Sequence, residues 1–389
     1  MIFILLLFLL RGPVCAATPP SEFVEHPIAA GLKGGYQVVI ADLNKDGKPD
    51  IIALASGMNE LVWYENPDWK RHVLTSDLPH MINLAAWDTD GDGIPEIVLA
   101  YEFANEAKNS IGILSVLQHG ADPLESWKLT EIDRIPTSHR LRWADVYGNG
   151  KKVLVNAPLT GSKAEKPDYR GKTPLVFYKP GVWMRETIPL ENEGVTHGIF
   201  ITDWDGSGRD DILTASFVGL HQFRLGKDGV WTRTELAKGD PAPWPKSGSS
   251  DVAVGWLGTK PAKTRFLTAI EPWHGNQVSV YRQDNKGQWQ RQVIDDALSQ
   301  GHTLLAADLN GDGNDEIIAG HRGTGGNVNI YYTNGSKGER WTKHPLDSVG
   351  IAASGCAVAD LNADGRPDIV CIGSATANLK WYENKGARK

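Results

Sequence analysis

His302-Thr-Leu-Leu-Ala-Ala-Asp-Leu-Asn-Gly-Asp-Gly-Asn-Asp-Glu-Ile-Ile-Ala-Gly320 reads as strand, tight acidic loop, strand. In the loop, Asp308, Asn310 and Asp312 put oxygen side chains at positions one, three and five. Gly313 takes position six, where the chain must turn, and Glu316 position nine. Hard oxygens on alternate residues of a turn suit Ca²⁺, which accepts six to eight oxygen ligands in loose geometry. The flanks are short apolar runs, so they read as buried strands and not as the helices of an EF-hand.

The loop recurs. Asp42, Asn44, Asp46 and Asp50 fill the same positions in one copy, and Asp88, Asp90, Asp92 and Glu96 in another. Asp203, Asp205, Ser207 and Asp211 follow, then Asp360, Asn362, Asp364 and Asp368. Asp145-Val-Tyr-Gly-Asn-Gly150 is a worn copy, and the stretch from Asp251 to Ile270 stands where a further degenerate one belongs. A recurrence of roughly 50 residues marks a repeat architecture. A second series agrees with it. Phe23, Trp69, Trp127, Trp183, Trp231, Trp289 and Trp341 are each followed five residues later by Ile or Leu. Their partial alternation suits a half-exposed outer strand. Each unit is therefore four strands, and four-stranded units repeated radially make a β-propeller.

The expectation is an all-β, seven-bladed propeller over residues 18–389 as one domain. The chain ends after a third strand at Tyr382 and starts with an orphan fourth strand at Phe23–Ile28. The N-terminal strand is thus expected to complete the last blade and close the ring, leaving no full-height edge. The repeats resemble FG-GAP or VCBS-type propeller repeats, which occur in integrin heads, lectins and sugar-converting lyases. That resemblance implies fold and calcium and leaves function open.

Other features bound the function. Net charge is −7 and no basic run occurs, which argues against a nucleic-acid partner. The apolar run Ile2–Leu10, followed by small residues up to Ala17, reads as a secretory signal and is too short to span a bilayer. Residues 1–17 are taken as that signal, with a secreted or periplasmic product and no membrane insertion. Cys356 and Cys371 flank the last acidic loop and could face each other, as two small buried residues or as a disulfide. No nucleophile elbow, Walker loop, dinucleotide fingerprint or zinc-protease helix is present.

The acidic loops share one face of the disc, and the unusual residues fall on the other. His139, His197 and His302 stand six residues before the first loop aspartate of three blades, where the inner strand begins. They should point to the axis. Neighbouring connections add His274, His321 and Glu271, and Arg140 is expected to alternate away from His139. Neutral imidazoles with a carboxylate are a credible site for Zn²⁺ or Mn²⁺. The long connection Ala157–Pro174 carries Tyr169, a candidate base or sugar-stacking ring.

Gly301-His-Thr-Leu-Leu with Gly320-His-Arg-Gly323, and Asn156-Ala-Pro-Leu leading to Pro174-Leu-Val-Phe-Tyr178, look like the propeller part of the aldos-2-ulose dehydratase family. That family eliminates water from keto-sugars and carries cupin domains after its propeller; no cupin part is recognised here. The resemblance implies a carbon–oxygen lyase acting on a keto-sugar or uronate, with His139, His197, His302 and His321 as site positions. The rival readings are a carbohydrate-binding, lectin-like propeller and an adhesive propeller without catalysis.

Overall fold

The acidic loops punctuate hairpins in a computed structural model that describes residues 20–259, 261, 263–333 and 337–387. Seven antiparallel sheets of four strands form the blades, and within each the strands follow one another outward from the axis. Blade one comprises Gly35–Ala41, Asp50–Ala55, Leu61–Glu65 and Lys70–Thr75. The inner strands of blades two to seven are Asn83–Trp87, Ser138–Ala144, Thr196–Thr202, Asp251–Leu257, Gly301–Ala307 and Ala353–Ala359. In the seventh sheet the order is Ala353–Ala359, Asp368–Gly373, Asn378–Ala387 and then Ser21–Ala30. Its outer strand thus comes from the other end of the chain, with Ser21 paired to Ala387 and Ala30 to Asn378. Each inner strand packs on its neighbours, blade one against blade seven included. The signal expected over residues 1–17 lies outside the described residues. Among the described residues no helix is long and apolar enough to cross a membrane.

Second strands such as Asp50–Ala55 and Asp211–Ser216 are buried along their whole length. Apolar side chains between blades explain this. Val38, Ile51 and Ala53 of blade one meet Leu361, Val370 and Ile372 of blade seven, and similar clusters fill the other seams. Tyrosines on the third strands of blades three, six and seven tie each of these blades to the one before. Tyr178 donates to Asp133 at 2.6 Å and Tyr382 to Asp347 at 2.8 Å. Cys356 and Cys371 lie directly opposite in the ladder and are joined as a disulfide.

The acidic loops are built largely by their own carboxylates. The first aspartate accepts backbone N–H groups from positions five and six, as Asp42 does from Asp46 and Gly47 at 3.2 and 2.8 Å. Gly47 has φ of +83°, a conformation that strains any residue with a Cβ. The position-nine carboxylate turns inward. Asp50 is fully buried and accepts the N–H of Leu43 and of Asn66, both at 2.9 Å. Asp368 does the same with Leu361 and Asn384. Burial raises the Asp50 carboxyl to about 6.

Candidate functional site

At the start of the inner strand, one residue is left out of register in five blades: Tyr36, His139, His197, His302 and Ser354. Each stands six residues before the first aspartate of its loop. A bulge of this kind re-aims a side chain while the ladder resumes beyond it. Here the repeated irregularity delivers one side chain per blade to the axis. The connection from Glu271 to Gly275 in blade five adds Trp273 and His274.

The rings converge. His197 lies 4.8 Å from His139, 4.8 Å from His274 and 5.2 Å from His302, centroid to centroid. The Nδ1–H of His197 donates to the Ser250 carbonyl at 3.0 Å, and that of His302 to the Ser354 carbonyl at 2.5 Å. Their Nε2 atoms are therefore lone-pair acceptors. His274 Nε2 donates to His197 Nε2 at 3.1 Å, while its Nδ1 accepts from Arg322 at 3.3 Å. His302 Nε2 is buried without a hydrogen-bond partner. Tyr36 hydroxyl donates to His139 Nε2 at 2.9 Å and accepts from Arg140 at 3.1 Å.

The electrostatics keep the imidazoles neutral. His139, His197 and His302 are almost fully buried, and desolvation with the Arg140 and Arg322 charges holds them far below the ordinary histidine range. His274 is pushed down to about 2 by the same causes. The one carboxylate near the axis is Asp251, raised to about 6 by burial against the pull of Arg140 and Arg142.

Two cavities share the axis. The upper, about 260 Å³, is lined by Tyr36, His139, His197, His274, Arg322 and Trp273, with Phe103 and His80 at its wall. The lower, about 100 Å³, is lined by Tyr36, Arg140, Arg142, Asp251 and His302.

Of the residues singled out in the sequence, His139, His197, His274, His302 and Arg140 come together here. Arg140 does not alternate away from His139: the bulge brings its guanidinium to 3.2 Å from His139 Nε2. Three others lie elsewhere. Tyr169 is a core side chain, packed with Leu159, Ala164 and Phe217 behind Trp273. Glu271 is fully buried and accepts from Ser249, Ser279, Tyr281 and Arg291, so it anchors the connection carrying His274. His321 ends the second strand of blade six, one step out from the axis, and lines neither cavity. Tyr36 and Asp251 were not read as site residues. Tyr36 holds the same repeat position as the histidines, so comparing every residue type at that position would have found it.

As for metal, His197, His274 and His302 each offer one ring nitrogen, all within 4.8 Å of one another. The donors fit Zn²⁺ or Mn²⁺ in kind and spacing. On the opposite face, Asp88, Asp90 and Glu96 bring carboxylate oxygens equally close, a fit for Ca²⁺. Blade four differs: Arg224 donates to Asp205 at 2.8 Å and to Asp211 at 2.7 Å, placing a guanidinium inside that loop.

The fold is a seven-bladed propeller, and the family described as FG-GAP-like repeat matches residues 42–99 and 308–371 of it. The family described as the aldos-2-ulose dehydratase β-propeller domain matches residues 112–284. The chain is 24% identical, over 363 aligned residues, to aldos-2-ulose dehydratase from Phanerodontia chrysosporium. The alignment covers 80% of this chain and 39% of that protein, so the chain spans well under half of its relative's length. Among solved structures, virginiamycin B lyase from Staphylococcus aureus superposes with a TM-score of 0.57 at 12% identity. That match covers 93% of this chain and 99% of the other, and it speaks for the fold alone.

Proposed function

We propose that the chain is a sugar-processing propeller whose axial cavity eliminates water from a sugar derivative, as a carbon–oxygen lyase. The observation that carries the reading is the convergence of neutral histidines, Tyr36 and arginines from five blades on two cavities that share the axis. A lectin-like or adhesive propeller has no need of such a cluster. The likeness to aldos-2-ulose dehydratase supports the same reading.

Elimination beside a carbonyl needs a base for the α-proton, positive charge on the enolate and an acid for the departing hydroxide. His302 Nε2, a lone pair with no partner, is the base. Arg322 and Arg140 border the cavities and stabilise the developing oxyanion. Tyr36 is the acid: its hydroxyl lines both cavities and is held between Arg140 and His139. If the site carries Zn²⁺ or Mn²⁺, His197, His274 and His302 would hold the ion and it would polarise the carbonyl; the ion would then take the His302 Nε2 lone pair, so this arrangement is the alternative to His302 acting as the base. The same proposal gives the acidic loops of blades one, two, six and seven to structural Ca²⁺. It also places the protein outside the cytosol, a reading that the Cys356–Cys371 disulfide supports.

The test is turnover of keto-sugars, followed by the ultraviolet absorbance of the enone formed on dehydration. His302→Ala and Tyr36→Phe should each lower kcat by about 10²–10⁴-fold with an unchanged melting transition. Full activity in both variants would refute the assignment of the axis as the active site.

A further inference from the structure

Arg140, Arg142 and Arg322 border the axial cavities, and among the described residues none has a carboxylate within ion-pair distance. Among the described residues that line these cavities, the carboxylate is Asp251. Arg140 is only 6% exposed, and among the described residues its guanidinium hydrogen-bonds Tyr36 and His139 and no carboxylate. Arg142 donates to Asn83 and to a backbone carbonyl. Arg322 donates to His274. The imidazoles offer lone pairs and no negative charge. Arg322 borders the upper cavity and is half-buried, whereas the buried Arg140 and the half-buried Arg142 border the lower cavity beside one carboxylate, Asp251. Buried charges are normally paired, because an uncompensated one costs several kcal/mol. A second feature points into the same space: His302 Nε2 is buried and unpartnered.

We propose that the substrate of the axial cavity is a sugar acid, and that Arg140 and Arg322 bind its carboxylate. The proposal rests on the lyase reading for its chemistry and on the unpaired guanidiniums for its ligand. A guanidinium fork matches the planar, two-oxygen face of a carboxylate. The two axial cavities meet at Tyr36, the upper, about 260 Å³, bordered by Arg322 and the lower, about 100 Å³, by Arg140 and His302, and one sugar unit spans them. Phe103 and Trp273 give that unit apolar walls for its C–H faces.

The reaction then balances without a further reactant. In an aldonate, –OOC–CH(OH)–CH(OH)–R, His302 Nε2 takes the proton from the carbon next to the carboxylate. The C–H pair moves into the carboxylate, and the added negative charge is held by Arg140 and Arg322. The pair returns to form the C=C bond as the neighbouring C–O bond breaks. The departing hydroxide takes the Tyr36 proton and leaves as water. The enol –OOC–C(OH)=CH–R gains a proton on carbon and loses one from oxygen, giving a 2-keto-3-deoxy acid.

Calorimetric titration with gluconate and galacturonate, against glucose, galactose and glucose 6-phosphate, tests the ligand. Trapping of the 2-keto acid with semicarbazide tests the chemistry on the same samples. A sugar acid should bind at least tenfold more tightly than its neutral counterpart, and Arg140→Gln and Arg322→Gln should each weaken it by about 10–100-fold. Arg322→Lys keeps the charge, loses the fork and should fall between. Thermal melting checks that each variant is folded. Equal affinity for acid and neutral sugar, tighter binding of the phosphate, or full acid affinity in all three folded variants would overturn the carboxylate assignment. Arginine-dependent acid binding without keto acid would uphold it and overturn elimination. Dehydration of a neutral keto-sugar, with acids ignored, would do the reverse.

Discussion

His221 shows how a single buried group sets the pH range of the fold. It is 2% exposed, outside the axial site, and burial with the nearby Arg233 lowers it from 6.5 to about 4. The unfolded chain takes this proton near pH 6.5, whereas the folded chain refuses it until about 4. Its contribution is therefore whole above pH 6.5 and is lost as pH falls through that window, to a total on the order of 3 kcal/mol. His221→Gln removes the titration. The melting temperature of the wild type should drop relative to the variant between pH 7 and 4; parallel curves would refute the linkage. At this same scale the sequence was legible only in part. His139, His197 and His302 stood out because a repeat gives each position several witnesses. Tyr36 shared that position but not the residue type. Asp251 sits in the blade whose acidic loop has worn away, so no register pointed to it. Glu271 and Tyr169 misled for one reason: a polar side chain on a connection reads as exposed, and only packing shows the Ser249, Tyr281 and Arg291 partners of one and the Phe217 and Trp273 neighbours of the other.

The element that varies most in meaning is the acidic loop. Five copies look alike in sequence, yet Arg224, on the third strand of blade four, reaches into its own blade's loop and spans Asp205 and the buried Asp211. An arginine 13 residues beyond the last carboxylate of a motif is invisible to motif reading, although it decides which cation the loop holds. With Ser207 in place of a carboxylate, this loop keeps three aspartates, and two of them already hold a guanidinium. Calcium measured by mass spectrometry after dialysis should therefore saturate without blade four. Arg224→Ala should add one ion per chain. In chelator it should cost about 3–5 kcal/mol, because Asp211 is left buried and unpaired, and excess Ca²⁺ should recover most of that loss. An unchanged calcium content in a folded Arg224→Ala protein would mean that this loop is no cation site in either form. The four-strand pattern of the blades, in contrast, was largely readable, since alternation and loop spacing are properties of neighbouring residues; the third strand of blade four, Gly219–Leu225, and the small extra sheet of Lys172–Thr173 with Asn192–Glu193 were not. The bulges at Tyr36, His139, His197, His302 and Ser354 were not, because a bulge is a relation between two strands.

The whole molecule sets the geometry of the site through its ring. No blade alone holds the cavity; Tyr36, His139, His197, His274 and His302 come from blades one, three, four, five and six. Catalysis at the axis thus requires that the blades keep their angular positions, and the weak point is the seventh sheet, whose outer strand is not contiguous with the rest. Its pairing is nevertheless complete: Ser21 faces Ala387, and Val24, Glu25 and His26 face Glu383, Tyr382 and Trp381. His26 stacks on Trp381 at 4.5 Å and hydrogen-bonds Glu383 at 3.0 Å. Because the paired ends lie side by side, a short Gly-rich linker from Ala387 to Ser21 would turn the seam into an ordinary hairpin. New ends can then be opened in the exposed turn at Lys286 and Gly287, between the third and fourth strands of blade five. That permutant moves the discontinuity from blade seven to blade five and changes no side chain at the axis. It should fold, melt within a few degrees of the parent and bind the same axial ligand with the same affinity. A permutant that folds but loses the ligand would show that the seam in blade seven, and not the ring as such, positions Tyr36 and His302.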